Sequence, residues 1–324
     1  MNGQGSPVLE VEDLAVSFRG RGGLPAKALD GVNLEIGHGE IVAVVGESGC
    51  GKTTLGRSIL GLERLTSGQV RFEGEPLSYS ARHLKAYRRR VQLVLQDPTG
   101  ALNPRHSVYE AVAEGPRVHR LDDEPGRVVR ALSAAGLRPP ERFLLRYPHE
   151  LSGGQRQRVV IAGALALEPS VIVADEPVSS LDASVRGEIL ALLLRLRDEL
   201  RLSLLVVTHD LGLAWNIADR IVVMYLGRVV EQGGTEEVLH QPRHPYTRAL
   251  LSVVPEIERI EAVVLTGEAP DPTRVPSGCR FHPRCPALAS GEADAAGVAG
   301  ACREQDLAIL AAAGPHHAAC HLHP

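Results

Sequence analysis

The chain begins with segments in which apolar and polar positions alternate, and it continues with short segments that are almost wholly apolar. Residues 8–18 (VLEVEDLAVSF) and 31–36 (GVNLEI) alternate, which predicts β-strands with one buried face. Residues 69–74 and 91–96 indicate two further strands. Three segments are apolar with polar ends and rich in β-branched residues, as strands buried on both faces are: residues 40–45, 170–177 and 202–210.

Helical periodicity separates these strands. Residues 184–200 (SVRGEILALLLRLRDEL) place apolar side chains on one face of a helix, and residues from about 105 to 167 follow a helical pattern rich in arginine and alanine. The segment RIVVMYLGRVVEQG predicts a β-hairpin around Leu226 and Gly227. Strands that alternate with helices predict an α/β fold with a mainly parallel sheet covered on both faces, and ligands bind at the edge where such strands end.

Composition places the 324-residue chain among soluble globular proteins, since 44% of its residues are hydrophobic and 23% are charged. Its formal net charge of −4 gives no reason to expect a nucleic-acid partner. The sequence contains no apolar run of the length that spans a bilayer, and its first residues lack the features of a signal peptide. We therefore expect a cytosolic chain that reaches a membrane only through a partner.

The segment GESGCGKT, residues 46–53, carries the first chemical signal. It follows a predicted strand, precedes a predicted helix and fits the pattern G-x-x-x-x-G-K-[ST] of a phosphate-binding loop. Its glycines let backbone N–H groups surround a polyphosphate, Lys52 can reach the β- and γ-phosphates, and the Thr53 hydroxyl can ligate Mg²⁺. Cys50 is expected only to fill a position that needs a small residue.

Two other segments suit the chemistry of a bound nucleotide. VIVADE ends a predicted strand with Asp175, suited to hold Mg²⁺ through water, and with Glu176, suited to polarise an attacking water as general base. LSGGQRQR begins a helix with Ser152 and two glycines, which suits an anion. Because Lys52 already serves the γ-phosphate site of this chain, the second helix start suggests contact with a nucleotide held by another chain.

These motifs, in this order, resemble those of an ATP-binding cassette (ABC) ATPase of a transporter. GESGCGKT resembles the Walker A loop, LSGGQ the family signature, and VIVADE followed by SSLD (179–182) the Walker B strand and D-loop. Gln96 in VLQDP resembles the Q-loop glutamine, and His209 in VVTHD resembles the switch histidine. The resemblance implies a P-loop NTPase fold over residues 1–238, with a RecA-like core, a helical subdomain at about 97–167 and an antiparallel β subdomain.

The resemblance also implies a role for each matched residue. The catalytic residues would be Glu176, His209 and Lys52, and the magnesium ligands would be Thr53, Gln96 and Asp175. The residues that would bind ATP in this chain are Gly46, Glu47, Ser48, Gly49, Cys50, Gly51, Lys52, Thr53, Thr54 and Gln96. Those that would cover an ATP held by a partner chain are Ser152, Gly153, Gly154, Gln155 and Asp182. Phe18 is the candidate for stacking on adenine, with a core strand residue as the alternative.

Two further segments resemble the importer ATPases for oligopeptides and dipeptides. VLQDPTGALNPR (94–105) resembles their Q-loop region, and HPYTRALLSVVP (244–255) with GCRFHPRCP resembles their C-terminal extension, here residues 239–324. The resemblance implies ATP-driven import, with a second identical or homologous ATPase, two transmembrane permease subunits and an extracytoplasmic substrate-binding protein as partners. It implies a peripheral subunit at the cytoplasmic face of the cell membrane.

Alternatives to peptide import stay open at this point. Importers of nickel and of glutathione share this subclass, so the cargo is undecided between them. A soluble cassette protein without a transporter is a second alternative, and co-purification with membrane subunits would separate the two. A phosphate-loop kinase is a third, against which LSGGQ argues because a kinase has no use for a second γ-phosphate contact.

Four of the five cysteines lie near the C-terminal end: Cys279, Cys285, Cys302 and Cys320. Disulfides between these cysteines are one interpretation, but disulfides are rare in cytosolic proteins. A second interpretation is that the cysteines are inert buried thiols. Zinc sites usually show closer cysteine pairs, although His282, His316, His317 and His321 could assist. Four thiolates can also hold an iron–sulfur cluster. The resemblance to peptide-importer extensions implies a [4Fe-4S] cluster on these four cysteines, as a structural staple for a segment with little core.

Overall fold

The structure is a computed structural model that describes residues 6–20, 23–254, 263, 265–268, 270–312 and 314–323. Its strands are β1 (Leu9–Arg19), β2 (Pro25–Ile36), β3 (Ile41–Val45), β4 (Ser67–Phe72), β5 (Glu75–Pro76), β6 (Val91–Val94), β7 (Val171–Asp175), β8 (Ser203–Thr208), β9 (Arg220–Tyr225), β10 (Arg228–Gly234) and β11 (His317–Ala318). Its α-helices are α1 (Lys52–Ile59), α2 (Ala81–Arg90), α3 (Pro98–Ala101), α4 (Val108–His119), α5 (Glu124–Ala134), α6 (Gly153–Leu165), α7 (Ala183–Leu200), α8 (Leu211–Ile217), α9 (Thr235–His240), α10 (Pro245–Leu251), α11 (Pro286–Ala289), α12 (Glu292–Ala295) and α13 (Ala299–Glu304). Single 3₁₀ turns lie at Pro140–Arg142, Pro148–Glu150 and His282–Arg284.

The chain divides into two compact units. The first contains Met1–Ile36, Val42–Pro76 and Val207–Pro324, and the second contains Gly37–Ile41 and Leu77–Val206. The domain boundaries that the sequence predicts, at residues 238/239 and at the ends of a helical subdomain, stay predictions.

An antiparallel sheet of the first unit has the strand order β2–β1–β4–β5. Leu9 of β1 lies opposite Ile36 on one side and Phe72 on the other. Buried and more exposed positions alternate along most of β1, which confirms the alternating strand that the sequence predicts. β2 begins before the predicted start, because the residues from Pro25 onward pair with the end of β1.

A second set of strands in the first unit lies in the order β11–β10–β9–β3. β3 runs parallel to β9, whereas β9 and β10 form an antiparallel pair. The turn between β9 and β10 is Leu226 and Gly227, both with positive φ (43° and 78°), which is the geometry of a two-residue hairpin with native twist. The predicted hairpin is therefore confirmed.

The second unit contains β6, β7 and most of β8, in the order β8–β7–β6. β6 and β7 are parallel, and Val91 lies opposite Val171. Helices α4, α5 and α6 pack against one another. α7 has the predicted amphipathic character, because Ile189, Leu192, Leu193 and Leu196 are its buried residues.

Parallel strand pairs and intervening helices confirm the predicted α/β fold. Over the part of the chain that the structure describes, no helix combines the length and the apolar character needed to cross a membrane.

Candidate functional site

The phosphate loop of the first unit follows β3, whose five residues are all buried, and it ends at the start of α1. Gly46 has φ 151°, and a Cβ there would collide with the Met224 carbonyl oxygen. Gly51 has φ 111° and stands at the N-cap of α1, where a Cβ would meet the Ala28 carbonyl oxygen. The loop therefore needs glycine at both positions, because of backbone angle as well as space.

Lys52 is the first residue of α1, and its side chain turns back into the loop. Its Nζ atom donates to the Gly46 carbonyl oxygen at 2.6 Å and to the Glu47 carbonyl oxygen at 2.9 Å. Lys52 is only 7% exposed, whereas Thr53 beside it is exposed. The fold thus places the ammonium group inside the loop and the Thr53 residue at the start of the helix.

Cys50 is buried within the same loop. Burial raises the pKa of its thiol, and the nearby Lys52 ammonium opposes this rise. The Cys50 carbonyl oxygen accepts a hydrogen bond from the Gly227 N–H at 2.9 Å, so the β9–β10 hairpin supports the loop. These contacts agree with a small, buried residue that packs inside the loop.

A cavity of about 220 Å³ lies beside the phosphate loop within the first unit. Its walls are Glu47, Ser48, Gly49, Cys50, Tyr225, Leu226, Pro270, Asp271 and Pro272. One wall therefore comes from the loop itself and another from the C-terminal part of the chain.

Two predicted site residues of the first unit, His209 and Phe18, are exposed and lie near the ends of strands. His209 follows the last residue of β8 and is exposed, and the next residue, Asp210, caps α8 by accepting from the Leu213 N–H at 3.0 Å. Phe18 lies on β1 opposite Ala26 and is 43% exposed. Phe18 is therefore not a core residue of the strand, and its role toward adenine stays a prediction.

In the second unit, the predicted carboxylate pair lies at the end of β7. Asp175 is the last residue of the strand, and Glu176 follows it. Both side chains are half-buried. Glu176 has φ 51°, an uncommon backbone conformation for a residue with a side chain, and such outliers cluster at functional sites.

The LSGGQ segment forms the N-terminus of α6. Ser152 and Gln155 make a capping box, since the Ser152 Oγ accepts from the Gln155 N–H at 3.3 Å and the Gln155 Oε1 accepts from the Ser152 N–H at 3.0 Å. A Cβ on Gly154 would lie 2.6 Å from a methyl carbon of Val185 on α7. The signature therefore packs closely on the helix that follows the D-loop, and Asp182 stands at the N-cap position of that helix.

A second cavity, of about 370 Å³, opens beside this helix start within the second unit. Ser152, Gly154 and Gln155 line it together with Arg138 and Arg158. Glu188 also lines the cavity and accepts from the Arg158 guanidinium at 2.9 Å, so Arg138 and the helix N-terminus are the groups that suit an anion here.

Gln96 lies two residues beyond β6 and is exposed. The next residue, Asp97, accepts a hydrogen bond from the Thr99 N–H at 2.8 Å and caps the short helix α3. The sequence predicts a strand through residue 96, but β6 ends at Val94, so the glutamine lies beyond the strand and at the surface.

Two residues in contact with the phosphate loop were missed by the sequence analysis. Tyr246 and Arg284 both bond to Glu47, although they lie 199 and 237 residues away along the chain. In the sequence, HPYTRALL indicates only a resemblance to importer C-terminal extensions. FHPRCP indicates the same resemblance and a candidate metal ligand, Cys285. No local pattern in the sequence indicates these two contacts, because each joins residues that are far apart along the chain.

The four C-terminal cysteines all lie in the first unit, where a charge on one acts on the others. The Cys279 N–H donates to the Cys302 carbonyl oxygen at 3.0 Å. Burial raises the pKa of the Cys279 thiol to about 12 and that of the Cys320 thiol to about 11. Charges on the other three cysteines add to the rise at Cys279. Among the described residues, however, no three histidine, cysteine, aspartate or glutamate side chains form a group that could hold a metal ion.

Comparison with known families matches both parts of the chain. Residues 29–179 match the family described as "ABC transporter", and residues 230–290 match "Oligopeptide/dipeptide transporter, C-terminal region". The chain is 40% identical to the oligopeptide transport ATP-binding protein AppF of Bacillus subtilis, over 98% of this chain and 97% of that protein. It is 46% identical to the dipeptide transport ATP-binding protein DppF of Haemophilus influenzae, over 80% and 81% respectively.

Solved structures with the same fold include cbiO1 from Clostridium perfringens, described as part of the ABC transporter complex cbiONQ. The TM-score is 0.66 at 34% identity, over 72% of this chain and 91% of that one. The dimeric ABC transporter cassette MJ0796 has a TM-score of 0.62 at 31% identity, over 70% and 98%. The chain therefore belongs to the ABC transporter family, among the ATP-binding proteins that carry the oligopeptide/dipeptide transporter C-terminal region.

Proposed function

We propose that this chain is the ATP-hydrolysing subunit that drives import of oligopeptides or dipeptides through a membrane ABC transporter. The observation that carries the proposal is the similarity to AppF, which extends over 98% of this chain and so includes both the cassette and the C-terminal region. AppF and DppF are named for transport of oligopeptides and dipeptides. Import of nickel or glutathione by the same machinery is the alternative, and a soluble cassette without a transporter is a less favoured one.

The phosphate loop supplies the binding chemistry of the proposal. Lys52 already donates two hydrogen bonds to oxygen atoms of the loop, and we expect it to donate to phosphate oxygens in the same way. Hydroxyl, carboxylate and amide oxygens suit Mg²⁺, so Thr53, Asp175 and Gln96 would hold it. The ion would neutralise charge on the β- and γ-phosphates. Phe18 would stack on adenine.

Glu176 would accept the proton of the water that attacks the γ-phosphate. Its position directly after β7 and its fixed left-handed backbone conformation support this role, because they restrict the directions that the carboxylate can take. His209, exposed at the end of β8, would contact the γ-phosphate and sense its loss.

We expect two such chains, identical or homologous, to share two ATP molecules. The N-terminus of α6, with its capping serine and with Arg138 in the cavity beside it, supports a contact with ATP held by the other chain. Ser152, Gly153, Gly154, Gln155 and Asp182 would make this contact. The dimeric MJ0796 cassette is a structural relative of this chain.

The remaining partners follow from the proposed transport. Two transmembrane permease subunits would receive the motion of the ATPase pair through the segment around Gln96, and an extracytoplasmic binding protein would deliver the peptide. The chain would then work as a peripheral subunit at the cytoplasmic face of the membrane.

Replacement of Glu176 by glutamine tests the catalytic assignment. In the assembled complex, Glu176→Gln should bind ATP normally but lower peptide-stimulated hydrolysis by about 10²–10⁴-fold, the usual contribution of a general base. Glu199→Gln, at an exposed position of α7, is the matched control and should keep wild-type turnover. Normal hydrolysis in Glu176→Gln would show that another group is the base.

For the four C-terminal cysteines we propose a [4Fe-4S] cluster held by Cys279, Cys285, Cys302 and Cys320. Four thiols of one region are a donor set of the right kind, and a negative charge on any of them acts on others of the set. Their side chains are not gathered into a ligand group among the described residues, so binding of the cluster would have to draw them together. Raised pKa values mean that these thiols stay protonated unless a metal displaces the protons. The cluster would tie together a segment whose described elements are short helices, turns and the two-residue strand β11.

Anaerobic purification of the full chain tests the cluster. We expect visible absorbance, iron and acid-labile sulfide, all of them lost in Cys302→Ser and retained in Cys50→Ser, whose thiol lies in the phosphate loop instead. A colourless protein that contains zinc, or no metal at all, would overturn the proposal.

A further inference from the structure

Glu47 of the phosphate loop has hydrogen-bond partners on three sides. Its N–H donates to the Tyr246 hydroxyl oxygen at 2.8 Å. Its carbonyl oxygen accepts from the Lys52 Nζ at 2.9 Å. Its carboxylate accepts from both terminal nitrogens of Arg284, at 2.7 and 3.0 Å. One residue therefore joins the phosphate-binding lysine to two residues of the C-terminal region.

The Arg284–Glu47 pair is bidentate and largely removed from solvent. The Arg284 side chain is 7% exposed and that of Glu47 is 29% exposed. The hydrogen bonds that Arg284 donates to the Glu47 carboxylate raise the pKa of the guanidinium, which stays charged. Bidentate arginine–carboxylate pairs fix geometry as well as contribute energy, and loss of one partner leaves the other charge poorly solvated. This pair therefore restrains Glu47 more strongly than an ordinary surface ion pair does.

Aromatic packing holds the two C-terminal partners in place. Tyr246, Phe281 and Tyr225 are each at most 1% exposed, and their ring centroids lie 4.8 to 5.3 Å apart. Arg284 belongs to the 3₁₀ turn that directly follows Phe281, and its N–H donates to the Phe281 carbonyl oxygen at 3.0 Å. The C-terminal region thus presents a preformed surface to the loop.

We propose that Arg284 and Tyr246 are positioning residues for ATP binding, which act through Glu47 on the phosphate loop and on Lys52. The C-terminal region then sets how well the loop is organised before ATP arrives. A loop that must be ordered by the ligand binds it more weakly, so loss of these contacts lowers affinity for ATP more than it lowers the rate of hydrolysis. The inference rests on the proposed binding of ATP at this loop.

Binding of a fluorescent ATP analogue to the full-length chain, with Mg²⁺ present, tests the proposal. We expect Arg284→Gln and Glu47→Gln each to raise the Kd on the order of tenfold, within the usual range for coupling between sites. The double variant should bind no more weakly than either single variant, because both remove the same interaction. Arg284→Lys keeps the charge but loses the bidentate geometry, and its Kd should lie between those of the wild type and Arg284→Gln.

Controls separate positioning from general damage to the fold. Arg303→Gln changes an exposed arginine of the same C-terminal region and should leave the Kd unchanged. In the assembled complex, Arg284→Gln should raise the KM for ATP while kcat changes by less than about twofold. All variants are measured below their melting temperatures. If Arg284→Gln folds poorly, Glu47→Gln tests the same interaction in its place, because it conserves the shape of the side chain.

Three results would overturn the inference: an unchanged Kd in both single variants, additive effects in the double variant, or a loss confined to kcat. Failure of the wild-type chain to bind ATP would overturn the proposed function instead, so the two failures are distinguishable.

Discussion

Among single residues, Glu47 and Glu176 show how side-chain chemistry depends on backbone placement. Glu176 adopts φ 51°, a conformation that costs a residue with a side chain about 1–3 kcal/mol. Glu47 places its carboxylate on Arg284 and its carbonyl on Lys52. The carboxylate of Glu47 is thus held by its partners, whereas for Glu176 the uncommon feature is the backbone conformation.

His244, a buried residue of the first unit, is a titratable group on which the stability of the protein depends. His244 is 1% exposed. Its backbone N–H donates to the Glu231 Oε2 at 2.9 Å, and its ring Nδ1 accepts from the backbone N–H of Tyr246 at 3.0 Å. Burial, with smaller effects from Arg248 and His323, lowers the pKa of His244 to about 3. The imidazole of the folded chain is therefore neutral at neutral and mildly acidic pH.

Acid should therefore destabilise the protein through His244. Between pH 6.5 and 3 the unfolded chain binds a proton at this residue and the folded chain does not, so stability is complete above pH 6.5 and falls as pH falls, by about 1.4 kcal/mol per unit. His244→Asn can keep the cap on α10 without titrating. In denaturant unfolding, its stability should fall by about 2 kcal/mol less than the wild type between pH 7 and 5.

The exposed His38→Asn is the control and should follow the wild type in the same unfolding series. Parallel pH curves for the wild type and His244→Asn would show that His244 is not the group responsible.

Residue chemistry was predictable from sequence where partners are close along the chain. The glycines and Lys52 form one contiguous segment, so loop geometry and chemistry could be inferred together. Arg284 could not be assigned, because its partner Glu47 lies 237 residues earlier and only folding brings them together. The roles of Phe18, Glu176 and His209 stay predictions.

At the scale of elements, the N-terminus of α6 depends on close packing against α7. A Cβ added to Gly154 would lie 2.6 Å from a methyl carbon of Val185. Gly154→Ala should therefore push the two helices apart and lower the free energy of unfolding by about 1–3 kcal/mol, the usual effect of overpacking. Denaturant unfolding of the full chain measures this change.

Two variants sharpen this test. Val185→Ala in the Gly154→Ala background should restore most of the lost stability, because it removes the colliding methyl group. Gly163→Ala on the same helix has open space around its Cβ and should be neutral or stabilise by up to about 1 kcal/mol. Equal effects at the two glycines would indicate helix propensity and not packing.

The sequence predicts the helices and strands whose apolar residues recur with a clear period, and it does not predict the others. β1, β7 and α7 lie where the sequence pattern predicts them. β11 has only two residues, and its pairing with Glu231 and Gln232 of β10 joins distant parts of the chain. The short helices of the C-terminal region likewise lack the length over which periodicity can be recognised.

At the scale of the whole chain, the C-terminal region contributes to the first compact unit instead of forming a unit of its own. The Asn33 amide donates to the Leu310 carbonyl oxygen at 3.0 Å, and an Arg220 guanidinium nitrogen donates to the Ala312 carbonyl oxygen at 2.9 Å. The resemblance to importer extensions over residues 239–324 does not reveal these contacts, because they join residues that are far apart along the chain.

The central claim is that ATP hydrolysis by this chain drives peptide import, and uptake of labelled peptide by vesicles tests it most directly. The vesicles contain the complete complex, with the binding protein and peptide outside and ATP inside. The account predicts ATP-dependent accumulation of the peptide with the wild-type chain and with Glu199→Gln, and none with Glu176→Gln. Peptide accumulation that persists with Glu176→Gln, or hydrolysis that accompanies uptake of nickel or glutathione but never of peptide, would contradict it.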